Sequence, residues 1–235
     1  METVPPYVPV VFILTTFATL AFLTQAVKSA GSRSLPAKLL FFVLPLWVIF
    51  QGVIALGGFY QNENSIPPRI ALFGVLPAVI TIFVYLIFFR KSFIERIPLQ
   101  LLTSLHVVRI PVELTLYWLF IAKQVPQAMT FEGRNFDILS GFLAIIVYFV
   151  AFRGRNINRW VLIAFNVIGL LLLANIVSSA VMSLPSPLQQ MAFDQPNRAV
   201  MFFPYIWLPT IIVPAVLFAH LAALWRLIGM GKQLS

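Results

Sequence analysis

Long apolar runs alternate with short polar connections along the whole chain. A membrane-spanning helix needs about 20 mostly apolar residues to cross about 30 Å of hydrocarbon. Seven runs meet or approach this length. They cover about residues 6–27, 39–60, 70–89, 97–123, 137–153, 160–183 and 201–225. The pattern predicts an all-α polytopic membrane protein, a bundle of seven transmembrane helices that forms a single transmembrane domain over residues 1–235.

The composition supports this prediction and excludes several classes of protein. Hydrophobic residues make up 60% of the chain and charged residues only 10%, against about 45–50% and about 25% in soluble domains. The mean hydropathy is +0.95, which is too apolar for a compact water-soluble fold. The absence of cysteine from the sequence excludes disulfides, thiolate metal sites, iron–sulfur clusters and cysteine nucleophiles.

The charges of the connections predict the orientation of the bundle. Residues 28–38, 90–96, 153–159 and 226–232 together hold eleven of the lysines and arginines. The alternate connections hold four, together with most of the acidic residues. The positive-inside rule therefore places the N-terminus outside and the C-terminus in the cytoplasm. We expect a multi-pass protein of the bacterial inner (plasma) membrane, and the basic helix ends explain the net charge of +9 without a nucleic-acid partner.

The fourth apolar run carries a stripe of polar side chains. At about 100° per residue, Thr103, His106, Arg109, Glu113 and Tyr117 fall within an arc of roughly 120°. A charged residue at the centre of a membrane helix costs at least about 2.5–3.5 kcal/mol on insertion scales. The stripe is therefore predicted to face the bundle interior and to line a polar cavity.

Two interpretations of this stripe stay open. Arg109 and Glu113 are one helical turn apart, so an ion pair between them is predicted. Pro111 lies between them and lacks an N–H, which predicts a kink beside His106 and Arg109. The pair is either a structural clamp between helices or part of a site for a solute, ion or cofactor, because ionisable residues inside membranes are functional candidates.

Further polar residues belong to the candidate cavity. His220 lies six residues from Arg226 and His106 nine residues from Ile97, so both imidazoles are predicted about 9–13 Å from the cytoplasmic end. Two facing histidines suit a haem or one metal ion, whereas separate local hydrogen bonds are the alternative. Asn175, in the sixth run, is a candidate either for the cavity or for an interhelical hydrogen bond.

The connection of residues 130–137 is unusually rich in charge for its length. Either Asn135 or Asp137 is suited to cap the fifth helix. Glu132 and Arg134 have no such local role. We therefore expect Glu132, Arg134 and Asp137 to form an outer cap that folds over the bundle mouth, near the end of the polar stripe.

Two blocks carry a resemblance to known proteins. These blocks, His106-Val-Val-Arg-Ile-Pro-Val-Glu113 and Phe131-Glu-Gly-Arg-Asn-Phe-Asp137, resemble uncharacterised bacterial heptahelical integral membrane proteins. The resemblance implies a seven-span membrane protein and brings no activity with it.

The sequence leaves three functional hypotheses. Motifs for nucleotide binding, zinc proteolysis and serine hydrolysis do not occur in it, and no catalytic residue or metal site is predicted. The leading hypothesis is that the polar stripe binds or translocates a small solute or ion. The alternatives are an intramembrane enzyme or a haem- or quinone-binding protein that uses His106 and His220, and a non-catalytic sensor or partner subunit. Beyond the lipid bilayer, a membrane-protein partner or a homo-oligomer is compatible with the sequence.

Overall fold

All regular secondary structure in the described part of the chain is helical. The computed structural model describes residues 3–154 and 157–231. Its α-helices are α1 (Tyr7–Gly31), α2 (Leu35–Leu56), α3 (Leu76–Phe88), α4 (Leu99–Leu105), α5 (Arg109–Ile121), α6 (Asp137–Phe152), α7 (Arg159–Met182) and α8 (Val213–Gly231). A π-helical turn precedes α3 (Ala71–Val75) and another precedes α8 (Leu208–Ile212). The prediction of an all-α fold is confirmed.

Within the described residues, six helical rods are long and apolar enough to cross a membrane. They are α1, α2, α3 with its π-helical turn, the combined rod of α4 and α5, α7, and α8 with its π-helical turn. α6 is apolar but has only 16 residues. Many large apolar side chains point outward, among them Phe42 and Phe88, which are 70% and 75% exposed. The architecture is that of a multi-pass membrane protein whose apolar surface faces lipid.

The rods differ in how deeply they are buried. In the most apolar 18-residue stretch of each rod, 50% of the residues are buried in the α4–α5 rod and 56% in α8. The corresponding share is only 22% in α2 and in α3. α4 packs against α1, α6 and α8, α5 packs against α1 and α6, and α7 packs between α6 and α8. The α4–α5 rod and α8 therefore form the centre of the bundle, and α2 and α3 lie at its periphery.

Several helix ends differ from the predicted span limits. α1 extends to Gly31 and α2 begins at Leu35, so Lys28 and Lys38 lie inside helices rather than in the connection. Long lysine stems allow this, because they carry the ammonium group toward water while the helix continues. The last rod begins at Leu208 rather than near residue 201, because a short 3-10 helix and turns occupy the preceding segment.

The central rod is interrupted at the polar stripe. α4 ends at Leu105, a 3-10 turn covers His106–Val108, and α5 begins at Arg109. Pro111 lies in the first turn of α5, and its missing N–H leaves the carbonyl of Val107 without the usual donor. The tighter 3-10 turn is the local adjustment. The break therefore occurs beside His106 and Arg109, as the position of Pro111 indicates.

The two π-helical turns face each other where α3 approaches α8. A Cβ atom added at Gly74 would lie 2.7 Å from Cγ2 of Thr210. Thr210 holds its hydroxyl away from this contact by donating to the carbonyl of Ile206 at 2.8 Å. The approach of the two rods therefore depends on the missing side chain at Gly74.

We expect Gly74→Ala to destabilise the protein, because its methyl group overlaps that of Thr210. Overpacking of this kind costs roughly 1–3 kcal/mol. Thr210→Ser removes only the overlapping methyl group, so the double variant is expected to recover most of the loss in thermal unfolding of the detergent-purified protein. Gly229→Ala is the control, because no atom lies within 4 Å of its added Cβ. Equal melting temperatures for Gly74→Ala and Gly229→Ala would contradict the close packing.

Candidate functional site

A set of polar side chains is buried together at the centre of the bundle. All of its members are at most 6% exposed. They come from the interrupted α4–α5 rod, the α5–α6 loop, the start of α6, α7 and α8. We call this set the buried polar cluster, and its members are His106, Arg109, Glu113, Asn135, Asp137, Asn166 and His220.

An ion pair joins α5 to the start of α6. Nε of Arg109 lies 3.1 Å from Oδ2 of Asp137. The two terminal nitrogens of Arg109 donate long hydrogen bonds of 3.5 and 3.4 Å to the carbonyl of Gly169 in α7. Asp137 is the first residue of α6, where the positive end of the helix dipole favours a carboxylate. Gly141 allows α6 to come this close, since an added Cβ would lie 2.6 Å from Ile110.

Glu113 is bound by the α5–α6 loop. Nδ2 of Asn135 donates to Oε2 of Glu113 at 2.6 Å and to the carbonyl of Met129 at 3.0 Å. Oδ1 of Asn135 accepts from the backbone N–H of Asp137 at 2.9 Å. The predicted ion pair between Arg109 and Glu113 is not formed. The guanidinium group instead points toward α6 and α7, and an amide takes its predicted place beside Glu113.

The two histidines stack on each other. The ring centroids of His106 and His220 lie 3.8 Å apart and the ring planes differ by 20°. Nδ1 of His220 lies 2.8 Å from Oδ1 of Asn166. Among the described residues, neither nitrogen of His106 has a hydrogen-bond partner, nor has Nε2 of His220. Gly169 makes room for the stack, because an added Cβ would lie within van der Waals overlap of the His220 ring.

The stacked geometry bears on the haem hypothesis. The lone pair of an imidazole nitrogen lies in the plane of its ring, so two histidines that ligate one iron must direct these planes toward a common point. Nearly parallel rings at 3.8 Å direct their nitrogens side by side instead. Within residues 3–154 and 157–231, no group of three or more histidine, aspartate or glutamate side chains is placed to hold a metal ion. The pair is suited to hydrogen bonding and proton exchange.

Several predicted site residues lie outside the buried polar cluster. Tyr117 is half-buried and stacks on Phe131, with ring centroids 4.9 Å apart. Asn175 is exposed and donates to the backbone carbonyl of Arg134 at 2.7 Å. The side chains of Glu132 and Arg134 are also exposed.

The α5–α6 loop nevertheless packs onto the bundle, but through residues other than the exposed Glu132 and Arg134. Thr130 is fully buried, and Asn135 and Asp137 are 1% and 6% exposed. Asn135 and Asn166 are the two members of the cluster that were not among the predicted site residues. The sequence indicates Asn135 only as a candidate helix cap. It indicates Asn166 only because this residue shares a helical face with Gly169.

We expect Gly169→Ala to disturb both the histidine stack and the contacts of Arg109. Its methyl group requires His220 to move, and overpacking costs roughly 1–3 kcal/mol. The double variant Gly169→Ala, His220→Ala removes the overlapping ring and is expected to unfold at a higher temperature than Gly169→Ala. The single variant His220→Ala completes the double-mutant cycle. Additive effects of the two substitutions would show that the ring does not lie against Gly169.

Comparison with known proteins gives one match. No curated protein and no solved structure matches the chain. A family model described as a domain of unknown function, DUF8737, matches residues 66–228, a range that includes every member of the buried polar cluster. Because the match covers more than half of the chain, the protein belongs to the DUF8737 family.

Proposed function

We propose that the protein binds a small cation at the buried polar cluster and translocates it in exchange for a proton. The observation that carries this proposal is the balance of charge. Two carboxylates, Glu113 and Asp137, are buried with a single guanidinium group, that of Arg109. With both imidazoles neutral, the ionised cluster would hold one excess negative charge.

Such an excess is expensive inside a membrane. An unpaired buried ion costs several kcal/mol even after the surroundings relax. The cluster is therefore expected to hold either a proton or a cation together with its two carboxylates. Asp137 already has a cation at 3.1 Å, whereas the partner of Glu113 is the neutral amide of Asn135 at 2.6 Å. Glu113 is accordingly the group at which we place the exchange.

The surrounding backbone and side chains support this role. Irregular backbone at membrane depth is tolerated where it is buried in protein or lines a site, and ion sites of transporters use interrupted helices in this way. The 3-10 turn at His106–Val108 is such an interruption. In the part of the chain that the structure describes, the ring nitrogens of His106 are buried without a protein partner, and buried groups of this kind require an explanation. They are suited to relay a proton or to contact a polar solute.

The direction of exchange depends on the orientation in the membrane. We propose seven spans, with the N-terminus outside and the C-terminus in the cytoplasm of a bacterial cell. α6 reaches about 24 Å at about 1.5 Å per residue, and the α5–α6 loop packs into the bundle before it. This loop would then separate Glu113 from the outer solution, so that its movement opens the site outward.

A reporter experiment tests the orientation. A phosphatase that is active only outside the cytoplasm is expected to be active when fused after residue 130 and inactive when fused after residue 92, because only the second connection is rich in lysine and arginine. A cytoplasmic fluorescent reporter should give the opposite pattern. Phosphatase activity at the connection near residue 92 would overturn the proposed orientation.

The exchange is tested by counting protons. On addition of the cation that it binds, the purified protein is expected to release about one proton per chain, because the cation competes with the proton for one carboxylate. Lithium, sodium, potassium, magnesium and calcium chlorides are added in turn to weakly buffered detergent solution with a pH dye, with choline chloride as the reference. The same salts are then imposed as gradients on proteoliposomes that contain the dye.

Matched variants distinguish proton exchange at Glu113 from effects elsewhere in the protein. Glu113→Gln keeps an oxygen that accepts from Asn135 but cannot exchange a proton, so it is expected to lose both proton release and flux. Glu132→Gln removes an exposed carboxylate from the adjoining loop and should behave as the parent protein does. Proton release that is unchanged in Glu113→Gln, or absent from the parent protein with every salt, would refute the proposal.

A further inference from the structure

A second region of interest lies away from the buried polar cluster. An apolar cavity of about 310 Å³ is lined by α1, α2, α3, α8 and the segment between α3 and α4. This volume lies at the lower end of the range of about 300–1,000 Å³ for ligand pockets. Its lining is mostly aliphatic and aromatic, and includes Val27, Leu40, Val43, Ala78, Ile97 and Phe218.

The few polar groups in the lining are already satisfied within the protein. Nε1 of Trp47 donates to the carbonyl of Thr210 at 3.1 Å, and the hydroxyl of Tyr85 donates to the carbonyl of Pro36 at 2.8 Å. The hydroxyls of Thr81 and Thr210 each donate at 2.8 Å to the backbone carbonyl four residues earlier. The cavity therefore presents hydrocarbon to its contents and favours a ligand that makes no hydrogen bonds there.

The cavity faces the lipid between α2 and α3. Val43 in α2 is 48% exposed, and Thr81 in α3 is also exposed, although both line the cavity. These two helices are the least buried of the spanning rods. An acyl chain of a lipid in the surrounding bilayer can therefore enter the cavity from the side without passing through water.

Cations lie beside the lining at one end of the bundle. Lys28 directly follows Val27, Lys38 precedes Leu40 by two residues, and Arg96 directly precedes Ile97. All three cations are exposed. Among the described ion pairs, none includes any of these three, and the neighbouring acid Glu95 pairs with Arg90 at 3.0 Å.

The segment that carries Arg96 meets the end of α1. Nη1 of Arg96 lies 3.8 Å from the position of a Cβ added at Gly31, at the end of α1. The guanidinium group thus lies against the connection between Lys28 and Lys38. The three cations therefore lie at the same end of the bundle, next or nearly next in sequence to residues that line the cavity.

We infer that this cavity binds an anionic phospholipid of the surrounding bilayer. One acyl chain occupies the apolar cavity, and the phosphate group lies against Lys28, Lys38 and Arg96. Apolar burial holds the chain, and each cation near an anionic headgroup favours binding. The inference does not depend on ion exchange at Glu113, because the two sites share no residue.

Quenching of tryptophan fluorescence tests this inference. Phosphatidylglycerol with brominated acyl chains is titrated into the detergent-purified protein, with phosphatidylcholine of the same chains in parallel. Trp47 lines the cavity, so the difference in quenching between the parent protein and Trp47→Phe reports a chain inside it. We expect saturable quenching of Trp47 at several-fold lower concentration of phosphatidylglycerol than of phosphatidylcholine.

Two kinds of variant test the binding of the acyl chain and the binding of the lipid headgroup separately. Ala78→Phe fills the cavity and is expected to weaken phosphatidylglycerol binding at least about tenfold, because a phenyl ring displaces several methylene groups. Ile80→Phe is its control, since Ile80 is 52% exposed and does not line the cavity. Thr81→Phe replaces Ala78→Phe if the latter does not fold. Lys38→Gln with Arg96→Gln is expected to weaken binding about fivefold for each cation removed, whereas Arg153→Gln with Arg159→Gln, on another connection, should not.

The possible results lead to distinct conclusions. Equal affinity for the two lipids would overturn the inference. So would phosphatidylglycerol binding that the cavity-filling variants leave unchanged, because it would then occur at the protein surface. Loss of proton exchange in Glu113→Gln with lipid binding intact is expected, since the sites are separate.

Discussion

The ion pair between Arg109 and Asp137 determines how one end of the bundle is arranged. A guanidinium group in the membrane interior needs a carboxylate, and the chain supplies it from the first residue of α6. The loop before α6 must therefore enter the bundle rather than pass over it. Gly141 then lets α6 approach α5. The short length of α6 follows from the same requirement, because the helix begins where its carboxylate is needed.

Gly169 joins this ion pair to the histidine stack. Its missing side chain makes room for the ring of His220, and its carbonyl accepts from Arg109. Asn166, one turn away on the same helix, holds the other side of His220. Rotation of α7 about its axis would disturb all of these contacts together. α5, α7 and α8 are therefore held in a fixed rotational register.

The membrane makes some of these features predictable from sequence. The burial of His106, Arg109 and Glu113 follows from the cost of placing them in lipid, so their helical spacing was sufficient to predict it. The choice of ion-pair partner was not predictable in this way. Glu113 is one turn from Arg109 in the sequence, but Asp137 is brought close only by the packing of α6. Likewise, the sequence indicates Asn135 as one of two candidate caps of α6, whereas its contact with Glu113 depends on the path of the loop.

Asn135 and Asp137 bind different charged residues of α5, yet they are only two positions apart on one segment. Asn135 holds Glu113 and Asp137 holds Arg109, and the amide of Asn135 also accepts from the backbone of Asp137. Withdrawal of the loop would therefore remove both partners in a single step, rather than one after the other. It would uncover a carboxylate and a guanidinium group together, one of each sign. The opening of this end of the bundle would thus be cooperative, and the membrane potential would act on it because the carboxylate of Asp137 moves with the loop.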